Sequence, residues 1–272
     1  MTRRRGLKFG GELLETPGGL ARLAQAVAHL TADGGLVLVH GGGGAIDAEL
    51  ARRGAQPQKV DGLRITDPTT LDVVVKVLAG SANTALVAAL VTAGVRAVGL
   101  TGVDAGLGRA NRARPHVSTT GTVVDLGLVG DPTEPDAALL ETLLAHGYVP
   151  VVASLGLDAE TGAVLNVNAD VMACRLAAAL HAAELVIAGT TAGVLDPAGA
   201  TLAWLDPDGI ARLIGDGTAS AGMVAKLSAC RVALAAGVAS IRLVDGRALT
   251  GTQPLGEVAG TTLVPATQTL GV

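Results

Sequence analysis

Short apolar runs alternate along this chain with longer stretches in which apolar residues recur every three or four positions. The short runs, at residues 6–9, 36–40, 95–100, 148–154, 184–188 and 240–244, read as strands. Between them Leu20, Leu23, Val27 and Leu30 fall on one helical face, and Leu139, Leu140, Leu143 and Leu144 make another. An N-cap residue followed by proline marks helix starts at Thr16-Pro17, Asp67-Pro68, Asp131-Pro132 and Asp206-Pro207, because proline at the first helical position loses no hydrogen bond. Glu134, three residues after Asp131, adds a capping-box pattern. The alternation predicts an α/β fold with a mostly parallel sheet covered by helices on both faces. Two stretches, 57–66 and 102–130, break the rhythm with Gly, Thr and charge and read as hairpins or binding loops.

Composition narrows the function. Of 272 residues, 49% are hydrophobic and 16% charged, so the chain can bury a substantial core. Aromatic residues are only 1%, which leaves the core to Ala, Val and Leu and provides no stacking platform for bases. With a net charge of −4, this argues against a nucleic-acid partner. Cys174 and Cys230 are the only cysteines, so no disulfide framework or CxxC metal site is available, and a cytoplasmic location is expected. The N-terminal apolar stretch is too short for a secretion signal, and Arg3-Arg4-Arg5 reads as a solvated end. Gly, Asp or Asn interrupts the apolar runs well before about 18 residues, so no membrane association is expected.

Three glycine-rich turns carry the candidate chemistry. Lys8-Phe9-Gly10-Gly11 follows the first strand, and His40-Gly41-Gly42-Gly43-Gly44 follows the second and leads into a helix. Four consecutive glycines exceed the needs of a tight turn and free backbone amides to approach an anion at a helix N-terminus. Gly222-Met223-Val224-Ala225-Lys226 opens a helix over residues 223–236 and places Lys226 in its first turn, where a cation is unfavourable unless it meets an anion. Asn166-Val167-Asn168-Ala169-Asp170 follows a hairpin and opens an Ala-rich helix, so Asp170 serves either as a cap or as a functional carboxylate. GxGxxG, GxSxG and HExxH are absent, and Met223 stands where a P-loop would need lysine. His29, His146 and His181 read as structural, while His40 shapes the glycine turn.

In this order the segments resemble the amino acid kinase family, specifically its N-acetylglutamate kinase branch. The resemblance also covers Gly62-Leu63-Arg64-Ile65-Thr66, Ala97-Val98-Gly99-Leu100, Asp125-Leu126-Gly127-Leu128-Val129-Gly130, Gly193-Val194-Leu195-Asp196 and Val244-Asp245-Gly246-Arg247. It implies an open, mainly parallel β-sheet sandwiched between helical layers, with an amino-acid-substrate lobe at 1–183 and a nucleotide-binding lobe at 184–272 on a continuous sheet. The activity implied is ATP-dependent phosphorylation of the γ-carboxylate of N-acetyl-L-glutamate in arginine biosynthesis, with Mg²⁺ carried by ATP rather than by a protein-ligated site.

The resemblance assigns catalysis to Lys8 and Lys226 flanking the phosphoryl group, with Asp170 orienting both. It places Gly42, Gly43, Arg64 and Asn166 on the substrate, and Gly10, Gly11, Thr190, Thr191, Gly193, Leu195, Thr218 and Ser220 on ATP. Two departures stand out. Gly189-Thr190-Thr191-Ala192 lacks the Asp-Val common in the family, and Val103 stands where many members have lysine. No room precedes the first strand for the extra helix of arginine-inhibited hexamers, so an arginine-insensitive homodimer is expected. The alternatives are a carrier-protein-linked aminoadipate or glutamate kinase of lysine biosynthesis, and a non-catalytic nucleotide or amino acid sensor.

Overall fold

The computed structural model describes residues 3–16, 18–32, 34–219, 221–249 and 258–266. The chain opens with β1 (Arg4–Phe9), a short helix α1 (Gly11–Leu14), α2 (Gly19–Thr31), β2 (Gly35–His40) and α3 (Gly43–Arg52). A hairpin of β3 (Lys59–Val60) and β4 (Leu63–Arg64) follows. Then come α4 (Pro68–Val75), a π-helical segment (Lys76–Ala82), α5 (Asn83–Thr92) and β5 (Ala97–Thr101). The middle of the chain holds β6 (Arg109–Arg112), a second hairpin of β7 (His116–Val117) and β8 (Val123–Val124), β9 (Val129–Pro132) and α6 (Ala138–Ala145). Next are β10 (Val149–Ala153), the hairpin of β11 (Leu155–Asp158) and β12 (Val164–Val167), and α7 (Ala169–Ala179). The last third contains β13 (Glu184–Gly189), β14 (Trp204–Leu205), α8 (Pro207–Gly215), α9 (Ala221–Ala235), β15 (Ile241–Asp245) and β16 (Gly260–Leu263).

Among the described residues the main sheet has eight strands in the order β14-β16-β15-β13-β1-β2-β10-β5. Only β15 and β16 pair antiparallel; every other neighbouring pair is parallel, as the sequence pattern predicts. All six predicted strands lie in this sheet. The two it adds, β14 at the edge and β16 beside it, are short elements with too few apolar residues to signal themselves. Because β13 pairs directly with β1, the sheet runs through the expected lobe boundary without a break.

Alternation along β2 shows how the sheet is buried. Leu36 and Leu38 pack on the side covered by α2 and α5, while Val37 and Val39 pack on the side covered by α7 and α9. Each buried leucine or valine removed from water stabilises the fold by roughly 1.5–3 kcal/mol, and these aliphatic layers compensate for the near absence of aromatic rings. Cys174 on α7 and Cys230 on α9 are free and buried in the second layer. A hydrogen bond with Cys230, reinforced by burial, raises the Cys174 thiol well above its ordinary pKa.

Two of the four proline-marked helix starts hold. Asp67 accepts from the Thr70 amide and Asp206 from the Gly209 amide, each with proline in the first turn. At Asp131-Pro132 the expectation fails: these residues end β9, where Pro132 pairs with Ala110 at the strand terminus, and the capping-box reading of Glu134 falls with it. The helix starts only at Ala138, whose amide donates to Asp136. At Thr16 the hydroxyl donates to Leu13 O, and α2 begins after Gly18 in a left-handed conformation; Pro17 lies outside the described residues. Asp72, Gly80 and Asn83 interrupt the apolar run at 68–92 without breaking its helix. Those 25 continuous residues are long and apolar enough to cross a membrane, but here they bury Val73, Val74, Leu86 and Leu90 in the core.

The break at 57–66 holds the β3–β4 hairpin and that at 102–130 the β7–β8 hairpin, as expected, while β6 and the start of β9 in the second break are strands that the sequence did not announce. The strands β6, β9, β11 and β12 close into a small barrel that carries Asn166.

Candidate active site

The glycine turns follow the C-terminal ends of β1 and β2, neighbours at the centre of the sheet, where open α/β sheets place their ligands. They touch each other: a Cβ on Gly11 would lie 2.6 Å from the Gly42 Cα. Beneath them is a cavity of about 230 Å³ whose walls include Lys8, Gly10, Gly43, Arg64, Asn166 and Asp170. Helix α3 starts here with no side-chain cap at Gly42. Glu15 accepts from the Ala45 amide at 2.8 Å. The Gly43 and Gly44 amides have no hydrogen-bond partner among the described residues. A Cβ on Gly43 would meet nothing within 4 Å, so this backbone faces open space. Free amides at a helix N-terminus suit an anion.

Lys8 lies on β1 between Leu7 and Phe9, so alternation turns its side chain from the α2 side to the α7 side. There its Nζ reaches Asp170 Oδ1 at 2.8 Å, while Lys226 Nζ from α9 reaches Oδ2 at 2.9 Å. The sequence left Asp170 open between cap and functional group. Asn168 takes the cap, accepting from the Asp170 and Val171 amides at 2.9 and 3.2 Å, which frees the Asp170 carboxylate for both lysines. Lys226 stands in the second turn of α9, since that helix begins at Ala221, two residues earlier than expected.

Burial would raise the pKa of Asp170, but Lys8 and then Lys226 outweigh it and hold the carboxyl at about 2. Both carboxylate oxygens are thus engaged by ammonium groups, and the carboxylate stays ionised at neutral pH.

Arg64, on β4, is buried. Its Nη2 donates to Gly43 O at 3.1 Å and pairs with Asp47 at 2.6 Å, leaving Nη1 buried without a partner among the described residues. Asp47 also holds Lys59 at 2.6 Å. Burial opposes ionisation of Asp47, but Lys59 and Arg64 together keep its pKa below the ordinary value. Asn166 donates to the Thr66 hydroxyl at 3.0 Å, and that hydroxyl donates to Arg64 O at 3.0 Å, so β12 and β4 are tied together at the cavity wall.

The residues assigned to ATP divide into two groups. Gly10 and Gly11 line the cavity below the glycine turns. Thr191, Gly193, Leu195 and Thr218 line a second cavity of about 250 Å³ together with Met223. Met223 and Lys226 are three residues apart on α9, so this helix serves both places. Thr190 does not line that second cavity; its carbonyl accepts from Arg247, which Asp245 anchors. Ser220 lies outside the described residues. The segment 190–192, which lacks the family's acidic residue, is exposed.

Sequence reasoning did not assign roles to Glu15, Asp47, Thr66, Asn83 or Asn168. A signal existed for Asp47, four residues after Gly43 and so on the same face of α3, where it meets Arg64 and Lys59. The contacts of Asn83 with β2 and β10 are non-local and left no trace in spacing.

An ion-paired Lys-Asp-Lys centre beside glycine amides, at the C-terminal edge of a parallel sheet, has the charge and the free backbone donors that transfer of a highly charged group between anions requires. The sequence model of the amino acid kinase family matches residues 7–245, and the chain belongs to that family. It is similar to the acetylglutamate kinase of Erythrobacter litoralis, with 41% identity over 89% of this chain and 82% of that protein. It is also similar to the acetylglutamate kinase of Chloroflexus aurantiacus, with 42% identity over 88% of this chain and 91% of that protein. Among solved structures, N-acetylglutamate synthase from Neisseria gonorrhoeae complexed with coenzyme A and N-acetyl-glutamate superposes with a TM-score of 0.79 at 26% identity. That match covers 97% of this chain and 59% of the synthase chain. The protein smu.665 of Streptococcus mutans UA159 matches with a TM-score of 0.79 at 27% identity, over 97% of this chain and 99% of that one.

Proposed function

We propose that this chain phosphorylates the γ-carboxylate of N-acetyl-L-glutamate with ATP, the acyl-phosphate-forming step of arginine biosynthesis. The observation that carries this reading is the pairing of Lys8 and Lys226 on the two oxygens of Asp170 beside the glycine turns. A carboxylate is ionised at neutral pH, so the nucleophile needs no general base. One carboxylate oxygen bonds to the γ-phosphorus as the bond from that phosphorus to the β–γ bridging oxygen breaks, and ADP leaves with the electron pair.

The barrier is repulsion between two anions. Lys8, Lys226 and the amides of Gly42 and Gly43 offset the charge on the transferring oxygens. Gly10 and Gly11 approach the nucleotide phosphates, with residues around Thr191, Gly193, Leu195 and Thr218 beside the adenosine. Asp170 gives both oxygens to lysines, and Mg²⁺ is expected to arrive with ATP. When bound it neutralises phosphate charge. The assembly expected is a cytoplasmic homodimer with a substrate lobe at 1–183 and a nucleotide lobe at 184–272.

Trapping the acyl phosphate with hydroxylamine tests the reaction. With ATP and Mg²⁺, hydroxamate is expected with N-acetylglutamate and not with glutamate, aspartate or aminoadipate. No product with any of the four, despite ATP binding, overturns the reading.

Arg64 tests the substrate pose. Gly43 and Asp47 fix the guanidinium through Nη2, which leaves Nη1 as one charged donor for the α-carboxylate, and the single ammonium of lysine cannot hold those contacts and supply that donor as well. Arg64→Lys is expected to raise the KM for N-acetylglutamate roughly 10–100-fold, the cost of one charged hydrogen bond, with kcat within a few-fold. Steady-state kinetics with saturating ATP checks it; an unchanged KM removes Arg64 from the substrate site.

A further inference from the structure

His40 is fully buried and directly precedes the second glycine run. A carbonyl oxygen can only accept, so the Nδ1 of His40, 3.1 Å from Gly41 O, carries the proton. The Nε2 must then present a lone pair, and Asn83 Nδ2 donates to it at 3.0 Å. The same amide nitrogen also reaches Val151 O at 3.0 Å, which fixes the orientation of the Asn83 side chain. Burial lowers the pKa of His40 against the raising influence of Gly41, in keeping with a neutral ring.

Two features of the chain accommodate Asn83 here. A Cβ on Gly99 would lie 2.2 Å from Asn83 Oδ1, so only glycine leaves room for the amide. The helix leading to Asn83 widens into a π-helical segment at Lys76–Ala82, a rare form that recurs at functional sites. From this segment Leu78 packs on the glycine run, 2.9 Å from where a Cβ on Gly42 would stand.

We propose that His40 and Asn83 are positioning residues for phosphoryl transfer. The peptide joining Gly41 to Gly42 is planar and trans, so holding its carbonyl also sets the direction of the Gly42 N–H. Asn83 fixes the tautomer of His40, His40 holds the Gly41 carbonyl, and the amides that follow are thereby aimed at the migrating group. The inference rests on the kinase reading above and extends it to two residues remote from substrate.

Two substitutions at His40 separate positioning from filling space. In His40→Asn the amide nitrogen takes the place of Nδ1 and can still donate to Gly41. In His40→Gln it lies near Nε2, facing Asn83, and the Gly41 carbonyl is released. For variants that melt like the wild type, kcat is expected to fall less than about 10-fold in the first and about 100-fold in the second, with the KM for ATP unchanged. Equal losses in the two variants overturn the positioning role.

A spectroscopic readout stands apart from activity. The ¹⁵N signals of His40 should show protonated Nδ1 and bare Nε2 at pH 7, and Asn83→Asp should add a proton at Nε2. Protonated Nε2 in the wild type overturns the relay. A wild type that makes no acyl phosphate overturns the kinase reading instead.

Discussion

Replacing Lys226 by methionine is expected to lower kcat for acyl phosphate formation about 1000-fold while the KM for N-acetylglutamate stays within a few-fold. Methionine keeps most of the apolar stem that packs along α9 but removes the ammonium group 2.9 Å from Asp170. In phosphoryl transfer the protein forms no bond to phosphorus, so catalysis is placement and charge. A positioned cation acting on the transferring oxygens is worth three or more orders of magnitude. That factor corresponds to about 4 kcal/mol of transition-state stabilisation. In the proposed substrate pose the amino acid is held elsewhere, at Arg64 and Asn166, so binding should survive. Lys8→Met should behave alike, because the two lysines occupy equivalent positions on one carboxylate. Initial rates of ADP release measure both variants. A kcat within tenfold of wild type would remove Lys226 from the reacting centre.

Asp170→Asn is expected to cost both turnover and stability, with the stability loss dependent on pH. The folded-state pKa of Asp170 is about 2, held below the ordinary 3.8 by Lys8 and Lys226 against the opposing effect of burial. A depressed carboxylate pKa stabilises the fold above the unfolded value and loses that contribution as pH falls through the folded one. Lowering the carboxyl from 3.8 to about 2 is worth roughly 2–3 kcal/mol at pH 7, and the carboxylate is only 14% exposed, so solvent screening removes little of it.

Urea unfolding of wild type and variant should therefore differ by at least about 2 kcal/mol at pH 7. The gap should halve by about pH 3 and nearly vanish by about pH 2. A gap constant between pH 7 and pH 3 would mean that the carboxylate is not held by the two ammonium groups in solution. The kinetic loss should exceed that of either single lysine variant. With asparagine at 170, two neighbouring ammonium groups lose their shared counterion and repel each other at the distance where both must act.

The sheet was largely legible in the sequence because strands buried on both faces form continuous aliphatic runs, as in Glu184–Gly189 and Val149–Ala153. Glycine runs such as Gly41–Gly44 were legible for a related reason: four residues without side chains have little purpose except to bring backbone close to something. Edge strands such as Trp204–Leu205 were not legible, since two residues, one exposed and one buried, are too few to show a periodicity. Asp131-Pro132 misled because a cap-and-proline pair looks the same before a helix as at a strand end. Pairing with β6 decided between them.

Local sequence by itself determined the strand–helix order, the aliphatic core and the presence of two lysines and an aspartate beside glycine turns. Those features follow from side-chain periodicity and backbone freedom, which act over a few residues. The tertiary structure decided what the aspartate does. Asn168 had to take the helix cap, and strand β1 had to bring Lys8 to a carboxylate 162 positions away in the chain, before Asp170 could join two cations into one centre. The buried line from Asn83 through His40 to Gly41 was likewise settled only by folding. Its members meet through the packing of separate helices and strands, and the energy of such contacts depends on distance in space, which spacing along the chain does not encode.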